Sequence, residues 1–309
     1  MATLKELRTR IASVKSTQKI TKAMQMVASS KLRRAQENAE AARPYAIRME
    51  GMLRAIAESV AGNDNAPAML AGSGASDSHL LLVTCSDRGL CGGFNSSIVR
   101  TVKQSVAALQ ADGKTVKLLC LGRKGRDQLK RDHQGLIIDT VEDLDKGGLD
   151  YDDAAAISTR LAKMFADGEF DVCTIIYNHF KSVMNQIVTT QQLIPYHVED
   201  GETSGGSEDS GPSAIYEYEP DEEEILARLL PRNLAVQIYR ALLESSASEQ
   251  AARMTAMDNA TRNAGDMIDK LSLLYNRSRQ AAITTELTEI VTGAEALENL
   301  NDLLNGAML

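Results

Sequence analysis

Residues 3–60 read TLKELRTRIASVKSTQKITKAMQMVASSKLRRAQENAEAARPYAIRMEGMLRAIAESV, and this stretch decides the fold. It contains one proline, Pro44, and one glycine, Gly51, so it predicts a helix of nearly 60 residues, roughly 85 Å at 1.5 Å per residue. Thr3 and Glu6 have the spacing of a capping box at its start. Its apolar residues begin with a heptad spacing at Leu4, Leu7, Ile11 and Val14.

The C-terminal end predicts a second long helix. From Arg232 to about Leu304 there are two glycines and no proline, and Pro231 should kink or restart the helix that precedes it. A long helix does not bury an apolar seam alone, so we expect the two terminal helices to pair. The predicted seam is rich in small side chains, namely Ala23, Ala28, Ala35, Ala247, Ala251, Ala260 and Ala264.

The middle of the chain has a different pattern. Apolar runs predict strands at 79–86, 114–122, 134–139, 170–178 and 182–195, the last of them antiparallel. Helical patterns separate them at 95–111, 123–132 and 151–167. Strands that alternate with helices form a small doubly wound sheet. The predicted fold class is therefore α + α/β: a long antiparallel coiled coil of N- and C-terminal helices with an inserted small, Rossmann-like α/β domain.

These patterns also divide the chain into segments. Residues 1–60 and 221–309 are predicted to form the coiled coil, and residues 79–196 the α/β domain. A Gly- and Pro-bearing linker is expected at 61–78, and an acidic flexible loop at 197–220. A compact middle domain holds the adjacent helix ends together, so the two helices should run antiparallel.

The net charge of −8 is unevenly distributed. Residues 1–60 hold 12 Lys and Arg against 5 Glu, whereas residues 196–224 hold 11 acidic side chains and no Lys or Arg. The balance argues against nucleic acid as a partner. The four cysteines have no metal-binding spacing, which favours buried thiols in a reducing compartment. No apolar stretch reaches the roughly 18 residues of a membrane span, and no signal peptide is expected.

The sequence SDRGLCGGFN at 86–95 is the best candidate for a ligand site. It follows a predicted strand and precedes a helix, where α/β folds bind ligands, and its glycines would admit a phosphate. It matches neither the dinucleotide nor the P-loop pattern. A tight turn packed against the helices is the alternative. Histidines, serines and acidic residues form no catalytic or metal-binding spacing elsewhere, so we expect no active site, no metal and no cofactor.

Four stretches resemble one known family. They are RIASVKSTQKITKAMQMVASSKLRRAQ (10–36), SDRGLCGGFN (86–95), ASEQAARMTAMDNATRNAG (247–265) and YNRSRQAAITTELTEIVTGAEAL (275–297). In order and spacing they resemble the γ subunits of F-type ATP synthases in their bacterial form. The resemblance implies a non-catalytic central-stalk rotor that couples proton-driven rotation of the c ring to ATP synthesis, or the reverse hydrolysis, at the β subunits.

The resemblance also implies roles for individual residues. Contacts with the β and α ring are expected from Lys22, Met24, Lys31, Arg279, Gln280, Thr284 and Glu286. An apolar bearing is expected at Ile290, Val291 and Leu297. The segment predicted to lie near the c ring and the ε subunit, at the foot of the rotor, is Arg88, Gly89, Leu90, Cys91, Gly92 and Gly93.

The implied partners are the hexameric ring of α and β subunits, the ε subunit and the c ring, with a small inhibitory subunit as a further candidate. The implied location is peripheral, on the cytoplasmic face of the bacterial plasma (inner) membrane. Residues 298–309 continue beyond the point where the family usually ends, and Leu300, Leu303 and Leu304 predict extra helical turns.

Two other functions fit parts of the sequence. One is an α/β enzyme or nucleotide-binding domain that carries a coiled-coil dimerisation arm, which would bind nucleotide or turn over by itself. The other is a passive coiled-coil tether, whose partner's ATPase activity would not depend on Arg279 or Gln280.

Overall fold

The computed structural model describes residues 3–60, 67–144, 148–196 and 222–306. The chain divides into two compact units. We call Met1–Gln25 with Met257–Leu309 the terminal unit, and Met26–Ala256 the central unit. The predicted acidic loop, 197–220, lies outside the described residues.

The two terminal segments are helical as predicted. Helix α1 spans Leu4–Val60, and helix α6 spans Glu222–Gly306. Thr3 and Glu6 form the predicted capping box, because the Thr3 amide donates to Glu6 Oε2 and the Glu6 amide donates to Thr3 Oγ1. Helix α6 continues through Pro231 without restarting.

Among its described residues, the central unit contains five strands and four further α-helices. The strands are β1 (Ser78–Thr84), β2 (Thr115–Leu121), β3 (Ile137–Val141), β4 (Val172–Phe180) and β5 (Gln186–Ile194). The helices are α2 (Ala68–Ala71), α3 (Phe94–Ala111), α4 (Arg123–His133) and α5 (Tyr151–Ala166). The one-turn helix α2 lies inside the predicted linker. The third strand was predicted to begin at residue 134, but a 3₁₀ turn forms at Gln134–Leu136 and the strand begins at Ile137.

The sheet has the strand order β3-β2-β1-β4-β5. Neighbouring strands are parallel except for β4 and β5, which pair antiparallel. The order reverses between β1 and β4, which are both central strands. The sheet and the two long helices confirm the predicted fold class.

Both faces of the sheet are covered, as continuous apolar strands require. Leu80 and Leu82 of β1 pack on one face, where α5 and α6 contribute Leu161 and Ile238. Alternate residues of the same strand point the other way, and there α3 and α4 supply the apolar partners. Because α6 forms part of the sheet's core, its first half belongs to the same compact unit as the sheet.

Helices α1 and α6 run antiparallel in the central unit. One contact cluster joins Leu32 and Ala35 of α1 to Ala247 and Ala251 of α6. The other lies later in α1 and earlier in α6, and contains Met49, Leu53, Leu226 and Leu230. The small residues of the first cluster were predicted in the seam, and their size lets the two helix axes approach closely.

The predicted domain boundaries stay predictions. They assign α1 and α6 wholly to a coiled coil, whereas residues from Met26 in α1 and up to Ala256 in α6 fall in the unit that holds the sheet. None of the helices in the described ranges is long and apolar enough to cross a bilayer.

Candidate functional site

In the terminal unit, α1 and α6 meet through a polar layer. Thr21 and Thr261 face each other, and their hydroxyl oxygens are 2.8 Å apart. One turn along α1, Gln25 Nε2 donates to Asp258 Oδ1 at 2.9 Å. The pairs 21–261 and 25–258 run in opposite directions along the two helices, so the pairing is antiparallel here as well. Such polar contacts in a helix seam favour one register over its neighbours.

Two of the predicted ring contacts on α1, Lys22 and Met24, lie beside this layer in the sequence of α1. Lys22 is exposed and its ammonium donates to Gln25 Oε1 at 3.1 Å, so it extends along the helix surface. Met24 is half-buried, and Lys31 is exposed in the central unit. The two lysines therefore present positive charge to solvent and to any acidic partner that approaches.

The predicted ring contacts on α6 are all exposed. Arg279, Gln280, Thr284 and Glu286 lie in a stretch where every side chain from Arg279 to Leu297 is exposed. Apolar side chains are included, since Ile290 is 64%, Val291 55% and Leu297 68% exposed. Exposed apolar side chains in such a concentration mark an interaction surface. Nothing in the described part of the chain covers this face.

A threonine stripe runs along the same stretch. Thr284 donates its hydroxyl to the carbonyl of Gln280, and Thr288 to that of Thr284, at 2.9 and 2.8 Å. Thr292 continues the pattern four residues later. With each proton bound inside its own helix, the threonines present chiefly methyl groups to a neighbour. Sequence reasoning missed this stripe, although its four-residue spacing is visible in ITTELTEIVTG.

The loop between β1 and α3 is held by its own polar groups. The Ser86 amide donates to Asn95 Oδ1, and the Ser86 hydroxyl donates to the carbonyl of Arg88 at 2.6 Å. Burial raises the pKa of the Cys91 thiol, which keeps it protonated at neutral pH. Leu90 at the loop tip is 63% exposed and has a φ of +66°.

The same loop packs on α6. Arg253 Nη2 lies 3.4 Å from the carbonyl oxygens of both Arg88 and Gly89. A Cβ at Gly92 would lie 3.7 Å from that of Ala256, and the residue has a φ of +56°. The loop thus contacts α6 about thirty residues after that helix begins. It forms the tight packed turn that was the alternative to a phosphate site.

Helix α6 also covers the carboxyl ends of β1 and β4. Ser245 Oγ donates to Thr84 Oγ1 at 3.4 Å, and Ser248 Oγ donates to the carbonyl of Asn178 at 3.0 Å. In a doubly wound sheet this reversal point is where a ligand normally binds. Here Ser245 and Ser248 of the chain's own helix occupy that position.

Few other side chains among the described residues are candidates for chemistry. Within the described ranges no cluster of three or more His, Cys, Asp and Glu side chains is arranged to hold a metal ion. His179 contacts Glu244 closely through Nδ1, and Glu244 also accepts from Arg240 Nε at 3.2 Å. All four cysteines are free, and burial raises the pKa of Cys120 to about 11 and that of Cys173 to about 12.

Comparison with known proteins identifies relatives along almost the whole chain. A family model described as ATP synthase matches residues 3–297. The ATP synthase gamma chain of Rhodospirillum rubrum is 58% identical over 299 residues, which are 96% of this chain and all of the relative. That of Parvibaculum lavamentivorans is 60% identical over 297 residues, with the same coverage.

A solved structure has the same fold. The central stalk and c-ring structure of Tetrahymena thermophila mitochondrial ATP synthase contains a chain that matches with a TM-score of 0.60 and 32% identity. The match covers 78% of this chain and 99% of that one. Residues 298–309 lie beyond the family match, as expected from the sequence.

Proposed function

This chain belongs to the ATP synthase γ-chain family, and we propose that the exposed stretch of α6 turns inside a ring of α and β subunits. It is the central-stalk rotor subunit of an F-type ATP synthase. In this role it couples proton-driven rotation of the c ring to ATP synthesis, and couples hydrolysis to rotation in the opposite direction. Its near relatives are gamma chains, and its solved relative is part of a central stalk with its c ring.

The exposed face of α6 carries the proposal. From Arg279 to Leu297 the helix presents apolar side chains and internally bonded threonines to solvent. A surface with few unsatisfied polar groups has no strong directional bond to break when it slides past a neighbour. Ile290, Val291 and Leu297 would therefore act as the bearing.

Arg279 and Gln280 would act differently, as a transient catch. Both are exposed and stand at the start of the apolar stretch, so a partner can contact them without any rearrangement of this chain. Exposed charge contacts contribute only about 0–1 kcal/mol each, which lets them form and break in every turn. Thr284 and Glu286 lie within two helical turns of them, and Lys22, Met24 and Lys31 would contact the ring from α1.

Catalysis belongs, in this proposal, to the β subunits. Support comes from the filled crevice at the β1–β4 reversal point, where Ser245 and Ser248 of α6 replace a ligand. As it turns, the chain would present different parts of its surface to each β subunit in succession.

The loop Arg88–Gly93 is the proposed contact to the c ring and the ε subunit. The loop packs on Arg253 and Ala256 of α6, about thirty residues after that helix begins at Glu222. This position would also suit a contact with the lower edge of the ring of α and β subunits. Cross-linking from a Leu90→Cys variant separates these cases, because Leu90 is the exposed tip. A product with ε or c supports the proposed contact, and a product with β alone contradicts it.

The remaining partners and the location follow from the same assignment. We propose contacts with α, β, ε and the c ring, and with a small inhibitory subunit. The complex would place this chain peripherally on the cytoplasmic face of the bacterial plasma membrane.

Rotation is the direct test. A bead coupled to the Met184→Cys variant reports on the central unit, because Met184 is 79% exposed in the turn between β4 and β5. Complexes reconstituted with α and β should turn the bead in one direction in three main steps when ATP is added. Complexes that hydrolyse ATP while the bead stays still would exclude a rotor.

The two competing functions make other predictions. An enzyme with a coiled-coil arm would bind or turn over nucleotide as the purified chain, which equilibrium dialysis with radiolabelled ATP measures. A passive tether would leave the ATPase rate of the complex unchanged by substitutions at Arg279 and Gln280.

A further inference from the structure

A cavity of about 410 Å³ lies between α1, α6 and the end of β4 in the central unit. Small-molecule sites in proteins occupy roughly 300–1,000 Å³, so the space is large enough for a ligand. It lies along the α1–α6 seam between two contact clusters, one containing Leu32 and Ala247 and the other containing Met49 and Leu230. The rotor function uses none of the residues that line it.

The cavity exists because the seam residues of α1 are too short to fill it. Ala39, Ala42 and Ala46 line it from α1, at the spacing of one helix face. From α6 and β4 it is lined by larger groups, including Phe180 and Tyr239. A row of methyl groups opposite aromatic rings leaves space for a flat apolar body.

One aromatic wall is fixed in place. The rings of Tyr239 and Tyr151 meet edge to face, with centroids 5.9 Å apart and planes at 80°. This arrangement is a favourable one for aromatic pairs. A ligand would therefore meet a preformed surface, so these side chains would lose little conformational entropy on binding.

The charged groups of the cavity leave positive charge unmatched. Glu244 is buried and accepts from Arg240, and it also contacts His179, so its charge is already compensated. Arg43 and Lys181 line the cavity too, and among the described residues neither has an ion-pair partner. Glu40 is the other acidic side chain of the lining.

We propose that this cavity binds a small aromatic anion. The flat apolar body would lie between the alanine methyls of α1 and the rings of Phe180 and Tyr239. The acid group would bind Arg43 and Lys181, where it gains two charge-assisted contacts at the solvent-facing mouth. Binding would tie α1 to α6 at a part of the seam where these helices do not fill the space between them.

Calorimetric titration of the full-length chain with 8-anilinonaphthalene-1-sulfonate tests this site. One saturable site with a Kd in the range of about 10–100 μM is expected. Lys181→Glu and Arg43→Glu should each weaken binding at least 10-fold, because each turns an attraction into a repulsion. Glu40→Gln should strengthen it several-fold, because it removes a negative charge from the lining.

Matched variants separate charge, shape and general stickiness. Arg100→Glu makes the same change in net charge on α3, outside this cavity, and should leave the Kd within 2-fold. Ala42→Trp should abolish binding by filling the space, with helix content checked by circular dichroism. If that variant unfolds, the Lys181 and Glu40 variants still decide.

Three results would overturn the proposal. The first is the absence of saturable binding up to 1 mM dye, and the second is binding that the Lys181 and Glu40 variants leave unchanged. The third is equal affinity for uncharged N-phenyl-1-naphthylamine, which would show that the acid group contributes nothing.

Discussion

Thr21 and Thr261 place their hydroxyl oxygens 2.8 Å apart across the helix pair of the terminal unit. Each hydroxyl is also within bonding distance of a carbonyl of its own helix, Thr21 with Gln18 and Thr261 with Met257. Two hydroxyls have two protons for these three contacts, so a proton placed between the two threonines is taken from one of the carbonyl contacts. Thr21 is almost fully buried, so this is a buried polar link within the helix seam.

A double-mutant cycle measures that link. Thr21→Val and Thr261→Val should each destabilise the chain by about 1 kcal/mol, and the double variant should cost less than their sum by about 0.5–1 kcal/mol. Urea unfolding followed by circular dichroism gives the free energies. Thr285→Val, an exposed threonine bonded to its own helix, is the control and should couple with neither. Additive effects would mean that the two hydroxyls do not interact.

The loop after β1 should require glycine at residue 92 but not at residue 89. Gly92 has a φ of +56° and faces Ala256, so Gly92→Ala should lower the free energy of unfolding by about 1 kcal/mol. At Gly89 an added Cβ would meet open space, so Gly89→Ala should change stability by less than about 0.5 kcal/mol. Thermal melting of the two variants checks this, and equal melting temperatures would contradict it.

The proposed catch should affect turnover and leave stability alone. Arg279→Ala combined with Gln280→Ala should lower the ATPase rate of the reconstituted complex about 3- to 10-fold, because contacts formed only at certain rotor angles are lost. The melting temperature of the isolated chain should not change, since both side chains are exposed. Arg277→Ala removes the same charge from another face of the helix, and a similar loss of rate there would argue against a specific catch.

The threonine stripe should tolerate loss of polarity and reject added charge. Thr288→Val has the same shape without the hydroxyl, and because that proton is bonded inside the helix the rotation rate should remain within 2-fold. Thr288→Glu places a carboxylate on the proposed bearing surface and should slow rotation or block assembly. Bead rotation and complex yield report the two effects. A Thr288→Glu variant with unchanged rotation rate and complex yield would contradict the proposed bearing.

Acid should loosen the central unit through Asp171. Bonds from the Ser73 hydroxyl and from the Ser78 and Asp77 amides hold the pKa of Asp171 below its usual value. The stabilisation from a depressed carboxyl pKa is complete above the unfolded value of about 3.9, and it is lost as pH falls through the folded value. Asp171→Asn should therefore melt lower than the unmodified chain at pH 6, with the difference shrinking toward pH 3.

The control for this prediction is Asp112→Asn, an exposed aspartate after α3. Its melting temperature should follow that of the unmodified chain at every pH. If the melting temperature of Asp171→Asn lies below that of the unmodified chain by the same amount from pH 6 to pH 3, the carboxylate charge is not what stabilises the start of β1.

Much of the fold was predictable because its signals are local. The capping box at Thr3, the heptad spacing at the start of the first long helix and the apolar strands each follow from a short stretch of sequence. The path of α6 over the carboxyl ends of β1 and β4 was not predictable, because it depends on contacts such as Ser245 with Thr84, 161 residues apart. The serines read as ordinary helix surface.

The candidate site shows the same limit. Arg279 and its neighbours were assigned from the resemblance, and the structure adds that their whole stretch is exposed. The polar layer at Thr21 and Gln25 was not predicted, because an apolar seam was extrapolated through it. The cavity lined by Ala39 and Ala42 was also missed, since alanines that close a seam and alanines that leave a gap have the same spacing.

The seating of α6 across the ends of β1 and β4 has a mechanical consequence. Ser245 and Ser248 connect the helix to adjacent strands, so a load along α6 is shared by two bonds that stretch together. Bonds loaded side by side resist far more force than bonds that open one after another. The point where other doubly wound sheets bind a ligand is here a fixed connection between helix and sheet, suited to transmit a twisting load.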